Sequence, residues 1–124
     1  MIAVTDANFE ADVRRAKLPV LVDFWAPWCH PCFALARELE TLAPLVEGKL
    51  LIAKANLAEC RSLPKRLGVL FLPTLILFVG GNEVGRIPRV PSRGELTDLL
   101  ARARVPGVLR EKEDQHDGRY RRNR

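Results

Sequence analysis

The sequence is poor in the features that mark membrane proteins and small secreted proteins. Its longest apolar stretch, residues 68–81, is broken by Pro73 and is too short to span a membrane. Only three of the 124 residues are cysteines, fewer than the disulfide framework of a small secreted domain would need. The first residues also lack the basic and apolar pattern of an export signal. We therefore expect a cytoplasmic protein without a membrane partner, whose cysteines serve chemistry rather than structure.

The composition is otherwise that of one domain with a charged end. Hydrophobic residues make up 48% of the chain, which is enough for a core. The net charge is +5, and the residues after Leu109, where hydrophobic periodicity stops, contribute +2 of it through six basic and four acidic side chains. We predict one domain over residues 1–104 and a charged, disordered tail over residues 105–124. A basic tail attracts nucleic acid electrostatically, but acidic residues dilute this one, so we expect no nucleic-acid partner.

Two cysteines three positions apart, Cys29 and Cys32, carry the main functional signal. An apolar, β-branched and aromatic run at residues 20–25 predicts a buried strand just before them. An amphipathic helical pattern follows, with Pro31 in its first turn. In this setting a Cys-x-x-Cys pair is typical of a thiol redox site. Because Cys29 lies at the positive end of the helix dipole, we predict that its thiolate attacks and that Cys32 resolves the mixed disulfide.

Hydrophobic periodicity and turn residues place the other elements. Strands are predicted at residues 1–4, 20–25, 50–55, 75–79 and 83–87, and helices after Asp6 or Asn8, after Cys29, at 58–67 and at 92–104. Pro44 is expected to end or kink the second helix near residue 43, and Pro64 to lie inside the third or split it. Ser92 and Glu95 have the spacing of a capping box. The order predicts an α/β fold, a mixed sheet between two helical layers.

Three separated stretches carry a resemblance to the thioredoxin family that covers about residues 2–104. They are residues 22–32 (VDFWAPWCHPC), 72–74 (LPT) and 78–82 (FVGGN), in the family's order. The resemblance implies the thioredoxin fold, with a central mixed sheet of four to five strands and helices on both faces. It also implies a dithiol–disulfide oxidoreductase for protein disulfides, serving electron transfer and cell redox homeostasis. Its partners would be disulfide-containing clients and an electron donor like thioredoxin reductase, and we expect a monomer.

A buried carboxyl would supply the base that Cys32 needs when it resolves. Inside an apolar strand a carboxyl has a raised pKa, which suits proton transfer near neutral pH, and Asp23 is the candidate. In thioredoxins the matching Asp lies beneath the second cysteine and couples to a lysine, a position that Lys54 resembles. The alternatives are a strand-end carboxylate that meets solvent, and a lysine that is merely on the surface.

The resemblance also implies the contacts with substrate. Pro73 would follow a cis peptide bond, and Leu72 before it would offer backbone hydrogen bonds to an extended client. Trp28 would form an apolar floor beside Cys29, while Trp25 would pack under the loop. The alternatives are a trans proline and two tryptophans that only fill the core.

Several positions depart from the family pattern. His30 replaces the usual glycine, and a cation beside the Cys29 thiolate makes a disulfide more oxidising, unless the imidazole is a bystander in solvent. Phe33 replaces the Lys or Arg that often follows the second cysteine, which makes the rim more apolar. The last loop lacks the usual glycine, which puts recognition by a standard thioredoxin reductase in question. Arg86 and Arg89 would favour acidic targets.

Cys60 lies outside the pair. We expect a small buried hydrophobe, with a regulatory disulfide or a metal ligand as the alternatives. Cys29, His30, Cys32 and Cys60 would count as a zinc set. However, adjacent residues rarely both bind zinc, and the usual second half-site is missing. We therefore predict no metal site and no cofactor.

Three functional classes stay open at this point. A protein-disulfide reductase leads, and a more oxidising thiol oxidase or isomerase tuned by His30 is second. The reduction potential separates these two classes, since that of thioredoxin is about −270 mV and that of protein disulfide isomerase is about −180 mV. A binding or chaperone module on the same fold is third, and it is disfavoured because Cys29, Cys32 and Asp23 are all present.

Overall fold

A five-stranded sheet organises residues 1–104, the part of the chain that this computed structural model describes. The strands are β1 (Ile2–Ala3), β2 (Val20–Trp25), β3 (Leu51–Asn56), β4 (Thr74–Val79) and β5 (Asn82–Ile87). Their order is β1-β3-β2-β4-β5. Strands β1, β3 and β2 are parallel to one another, β4 is antiparallel to β2, and β5 is antiparallel to β4. This is the mixed sheet that the sequence predicted. The predicted tail, residues 105–124, lies outside the described residues.

The side chains of β2 alternate between two cores, as they must in a strand covered on both faces. Leu21 lies in the core formed with helix α1 (His30–Val46) and helix α3 (Arg93–Ala101). Val20, Val22 and Phe24 lie in the opposite core, with helix α2 (Leu63–Arg66) and a single π-helical turn (Glu10–Arg14). The same alternation places Asp23 and Trp25 on the α1 face of the sheet. That face is where the cysteine pair lies.

Helix α1 buries one stripe, and its length excludes one of the two alternatives expected for Pro44, an end of the helix rather than a kink. The buried positions are Cys32, Leu35, Leu39, Leu42 and Val46, spaced by three or four residues. Pro44 does not end the helix, which continues to Val46. Because Pro44 is exposed, water can satisfy the carbonyl that its missing N–H leaves free. No helix within residues 1–104 is long and apolar enough to cross a membrane.

The first helix is shorter than its periodicity predicts, and neither proposed cap forms. Only Glu10–Arg14 is helical, although Phe9 and Val13 are buried as expected. The Asn8 side chain instead accepts a hydrogen bond from the backbone N–H of Thr5. The Asp6 carboxylate reaches across the chain and accepts the N–H groups of Arg61, Ser62 and Leu63 at 2.8, 2.9 and 2.8 Å. These bonds lower the pKa of Asp6.

The remaining boundaries differ from the predictions by small shifts. Pro64 splits the predicted helix at 58–67 into a 3₁₀ turn (Leu57–Glu59) and α2, where it occupies the first turn. Strand β3 begins one residue later than predicted, and Asn82 belongs to β5 rather than to the turn. Helix α3 ends at Ala101 rather than near 104.

The predicted capping box of α3 is confirmed. The Ser92 hydroxyl accepts the Glu95 N–H at 3.1 Å, and the Glu95 carboxylate accepts the Ser92 N–H at 3.0 Å. Two of the four free N–H groups at the start of α3 are satisfied in this way, which explains why the helix begins where it does.

Candidate active site

Cys29 and Cys32 form a disulfide at the start of α1, with their Cα atoms 5.4 Å apart. Cys29 is the N-cap of the helix, and its sulfur accepts the Cys32 backbone N–H at 3.3 Å. Pro31 lies between them in the first turn, where a missing N–H costs nothing. Cys29 is 8% exposed and Cys32 1% exposed. The Cys29 sulfur is therefore the one that an incoming group can reach.

Asp23 is fully buried on the α1 face of the sheet, beneath the helix that carries the disulfide. Neither of its carboxylate oxygens has a hydrogen-bond partner within residues 1–104. Burial raises the pKa of Asp23 to about 7, while the charge of Lys54 opposes that shift. A carboxyl that titrates near neutral pH can both take up and release a proton. That Asp23 is the base for Cys32 stays a prediction.

Lys54 lies directly opposite Asp23 in the parallel register of β2 and β3. Its ammonium group also lies 4.8 Å from the centre of the Trp25 ring, a cation–π distance. Lys54 and Trp25 line a groove that opens to the surface, together with Asn56 and Glu59. The charge of Lys54 thus acts on the pKa of the buried carboxyl, although no ion pair or hydrogen bond joins the two groups within residues 1–104. The coupling role of Lys54 stays a prediction.

The loop before β4 reaches the disulfide from the other side. The Leu72–Pro73 peptide bond is cis, as the resemblance implied. Leu72 packs against the cluster formed by Ala26, Cys29 and Cys32. Its backbone N–H and carbonyl have no hydrogen-bond partner within residues 1–104. An extended client could pair with these groups next to the disulfide.

Large apolar side chains surround this site at the surface. Trp28 is 68% exposed, so the alternative that it only fills the core is wrong, whereas Trp25 is half-buried and packs against the disulfide cluster. Phe33 is exposed on the first turn of α1, and its ring packs edge-to-face on His30 with centroids 6.2 Å apart. The rim is therefore apolar at Phe33, as predicted. His30 itself is exposed.

The two arginines expected to favour acidic targets are paired within the chain. Arg86 makes a bidentate pair with Glu83, with both N···O distances 2.6 Å. Arg89 pairs with Glu95, the residue that closes the capping box of α3. Neither guanidinium is left without a carboxylate partner, because local acids neutralise both. The expectation of an acidic target therefore has no support from their geometry.

Cys60 does not join the active pair. It is a free, half-buried thiol whose sulfur lies 3.9 Å from the carbonyl oxygen of Val4. Burial raises the pKa of the Cys60 thiol, and the carboxylates of Asp6 and Glu59 raise it further. A thiol with a raised pKa is a poor nucleophile and a poor metal ligand near neutral pH. No group of three or more potential metal ligands occurs within residues 1–104.

Sequence reasoning missed two exposed residues near the site, Leu70 and Phe71. Both belong to the apolar stretch at 68–81, yet they are 83% and 63% exposed. Their position between Gly68, which has a positive φ of 69°, and Pro73 is the signal that separates them from the strand that follows. Thr74, also not predicted, donates its hydroxyl to the Phe71 carbonyl at 2.5 Å and fixes the end of this loop.

Comparison with known proteins agrees with this geometry. The sequence model of the thioredoxin family matches residues 1–102. The chain is similar to thioredoxin from Pseudomonas aeruginosa, with 48% identity over 100 residues that cover 81% of this chain and 93% of the relative. It is also similar to thioredoxin from Synechocystis, with 41% identity over 101 residues that cover 78% of this chain and 94% of the relative. With a Cys29–Cys32 disulfide at the expected place in the expected fold, the chain belongs to the thioredoxin family and is a dithiol–disulfide oxidoreductase that reduces protein disulfides.

Proposed function

We propose that Cys29 attacks the client and that Cys32 completes the reaction. In the reduced protein the Cys29 thiolate attacks one sulfur of a client disulfide; a Cys29–client disulfide forms and the other client sulfur leaves as a thiolate. The Cys32 thiolate then attacks the Cys29 sulfur and releases the second client sulfur. Two electrons pass from the Cys29–Cys32 dithiol to the client. The observation that carries this order is that Cys29 is the more exposed sulfur, at the N-cap of α1.

In this proposal Asp23 is the base for the second step. Cys32 must lose a proton before it attacks, and a buried carboxylate with a pKa of about 7 can take it. Lys54 opposes the rise of that pKa, so it keeps Asp23 within the useful pH range. After the client leaves, Asp23 returns its proton to solvent. The groove beside Lys54 and Trp25 supports a route for that exchange.

We also propose where the client lies. Its cysteine would approach Cys29 between Trp28 and the cis-proline loop, with its backbone paired to the free N–H and carbonyl of Leu72. Pro73 and Pro31 would shape the two walls of this cleft. Such pairing accepts many sequences, because backbone groups are common to all clients. Affinity would then depend on the apolar side chains at the rim.

The proposed electron donor is a protein of the thioredoxin reductase class, acting on a monomer in the cytoplasm. One relative supports the donor class: a protein of Mycobacterium leprae named bifunctional thioredoxin reductase/thioredoxin is 45% identical over 86 residues, covering 69% of this chain and 19% of that protein. We further propose that residues 1–104 form the complete catalytic domain, which the family match over residues 1–102 supports. Removal of residues 105–124 should then leave insulin reduction unchanged.

Cysteine variants test the assignment of roles. Cys29→Ser should abolish reduction of insulin, because no thiolate is left to attack. Cys32→Ser should still attack and should accumulate a covalent complex with insulin, detected by non-reducing electrophoresis and mass spectrometry. Cys60→Ser is the matched control and should behave like the wild type. A trapped complex in the Cys29→Ser protein would show that Cys32 attacks the client. Absence of a trapped complex in the Cys32→Ser protein would show that Cys29 does not attack it.

A second function, thiol oxidase or isomerase, is favoured by one observation. His30 is exposed and begins α1, immediately after Cys29, so a protonated imidazole would stabilise the thiolate of the reduced protein. A more stable reduced form makes the disulfide a stronger oxidant. The reduction potential decides between the two functions.

A further inference from the structure

A bulge in β5 brings Glu83 and Arg86 to the same face of the sheet. Residues three apart on a regular strand point to opposite faces. Here Glu83 pairs with Phe78 and Arg86 with Ile76, and the register shifts between them by one extra residue, Val84. The face that they share is the one covered by α2, because Ile76 and Phe78 belong to that core.

From this face the Arg86 guanidinium reaches the end of α2. One nitrogen, Nη2, donates to the Leu67 carbonyl at 2.8 Å, and Nη1 donates to the Gly68 carbonyl at 3.2 Å. Nε and Nη2 also bind the two oxygens of Glu83. The side chain thus joins strand β5 to the carbonyls that a helix C-terminus leaves without partners.

These carbonyls are the start of the loop formed by residues 68–73, which ends at the disulfide. Thr74 fixes the other end through the Phe71 carbonyl. Leu70, between the two anchors, and Phe71, at the second, are among the most exposed large apolar side chains within residues 1–104. Leu72 packs on the disulfide cluster, and two extended residues span at most about 7 Å. Leu70 and Phe71 therefore lie beside the place where the client cysteine must come.

We propose that Arg86 is a positioning residue for client binding: it fixes the 68–73 loop, so that Leu70 and Phe71 present a preformed apolar surface to apolar residues flanking the client disulfide. This inference rests on the proposed function. The occupant is apolar because Leu70 and Phe71, the side chains that this loop exposes next to the disulfide cluster, are themselves large and apolar. A preformed loop loses less conformational freedom on binding, which strengthens the encounter without changing thiol chemistry.

The effect should therefore depend on the size of the substrate. A large client touches the 68–73 loop, whereas a small disulfide such as bis(2-hydroxyethyl) disulfide touches only Cys29. We would follow single-turnover oxidation of the pre-reduced protein by each. For Arg86→Ala we expect the half-saturating insulin concentration to rise about fivefold, with the limiting rate and the rate with the small disulfide within about twofold of wild type.

Three further variants separate positioning from charge and from stability. Arg86→Lys keeps the charge but not the planar fork, so it should not restore insulin binding. Arg102→Ala is the matched control, because Arg102 also binds a β5 carbonyl, that of Val84 at 2.9 Å, but from α3. It should leave both substrates unaffected. If Arg86→Ala does not fold, Glu83→Gln removes the carboxylate partner instead and should raise the half-saturating concentration in the same direction.

The decisive variant places Arg86→Ala in a Leu70→Ser, Phe71→Ser background. If Arg86 acts through these two side chains, it should have no further effect there. Full additivity, or an equal loss of rate with the small disulfide, would overturn the inference. The proposed function has a separate test: it is wrong if insulin does not oxidise the wild-type protein at all. If insulin oxidises the wild type and Arg86→Ala has the same half-saturating insulin concentration, only the role of Arg86 is wrong.

Discussion

Asp23 and Lys54 lie opposite each other on neighbouring parallel strands, one as a buried carboxyl without a hydrogen bond and the other as a half-buried cation. Burial of a carboxylate without a hydrogen-bond partner destabilises the folded protein, and this protein keeps such a group in β2, on the face of the sheet that α1 covers. Burial raises the pKa of Asp23 to about 7, and the positive charge of Lys54 opposes that rise. Burial and Lys54 therefore act in opposite directions on the pKa of Asp23.

The first prediction concerns stability. The pKa of Asp23 is about 7 in the folded protein against an ordinary 3.8, so the folded state binds the proton more tightly. The contribution of Asp23 to stability must then fall as pH rises from about 4 to above 7, by on the order of 4 kcal/mol. Oxidised Asp23→Asn should lack this fall, and guanidinium unfolding at pH 5 and pH 8.5 measures the part of it above pH 5, about 3 kcal/mol.

Asp12→Asn is the control for that experiment, because Asp12 is an exposed acid in the π-helical turn. It should keep the wild-type dependence on pH. An equal fall in stability for the wild type and for Asp23→Asn would show that Asp23 does not carry the raised pKa.

The second prediction concerns the pH dependence of resolution. Lys54→Met removes the charge that lowers the pKa of Asp23, so that pKa should rise. The pH midpoint for release of the client from its mixed disulfide should then move upward, while the rate of the first attack should change less. Rapid mixing with insulin over a pH series measures both steps. Lys49→Met, an exposed lysine, is the control, and an unmoved midpoint in Lys54→Met would exclude the coupling.

The third prediction concerns His30. If its imidazolium stabilises the Cys29 thiolate, the wild-type reduction potential should lie between about −260 and −200 mV, and His30→Gly should move it toward about −270 mV. Equilibration with glutathione measures both values. His116→Gly, which changes the other histidine, is the control. Identical reduction potentials of about −270 mV in the wild type, His30→Gly and His116→Gly would show that His30 does not affect the reduction potential.

The fourth prediction concerns the β4–β5 turn. Gly80 and Gly81 have positive φ angles of 61° and 83°, so alanine at either position is strained by roughly 1–2 kcal/mol. Only at Gly81 would the added Cβ also collide with a backbone carbonyl, that of Arg14. Gly81→Ala should therefore destabilise the protein clearly more than Gly80→Ala. Thermal unfolding compares them, and equal melting temperatures would contradict the close approach.

Local patterns were enough to predict most of the fold and the reacting groups. The near-continuous apolar run of β2, the Cys29–Cys32 spacing and the Ser92 capping box each depend on residues close in sequence. Asp23 could be predicted to be buried for the same reason, since it interrupts an apolar strand. Its raised pKa follows from that burial.

The features that the sequence did not predict depend on distant parts of the chain. Asp6 is a good cap by type, yet it binds backbone N–H groups more than 50 residues away. Arg86 reads as a free cation, but the bulge at Val84 turns it toward Glu83 and α2. Pro44 reads as an end or a kink of the helix, and it does not end the helix, because the burial of Val46 after it keeps the last turn of α1 in place. In each case tertiary contacts overrode a local preference.

The most direct test of the account is a single-turnover reaction with no added reductant. Pre-reduced protein is mixed with excess insulin, and the new insulin thiols are counted against the Cys29–Cys32 disulfide formed, by alkylation and mass spectrometry. The account predicts one insulin disulfide opened for each Cys29–Cys32 disulfide formed, with Cys60 still reduced. Absence of insulin thiols, or thiols that appear while Cys29 and Cys32 stay reduced, would contradict it.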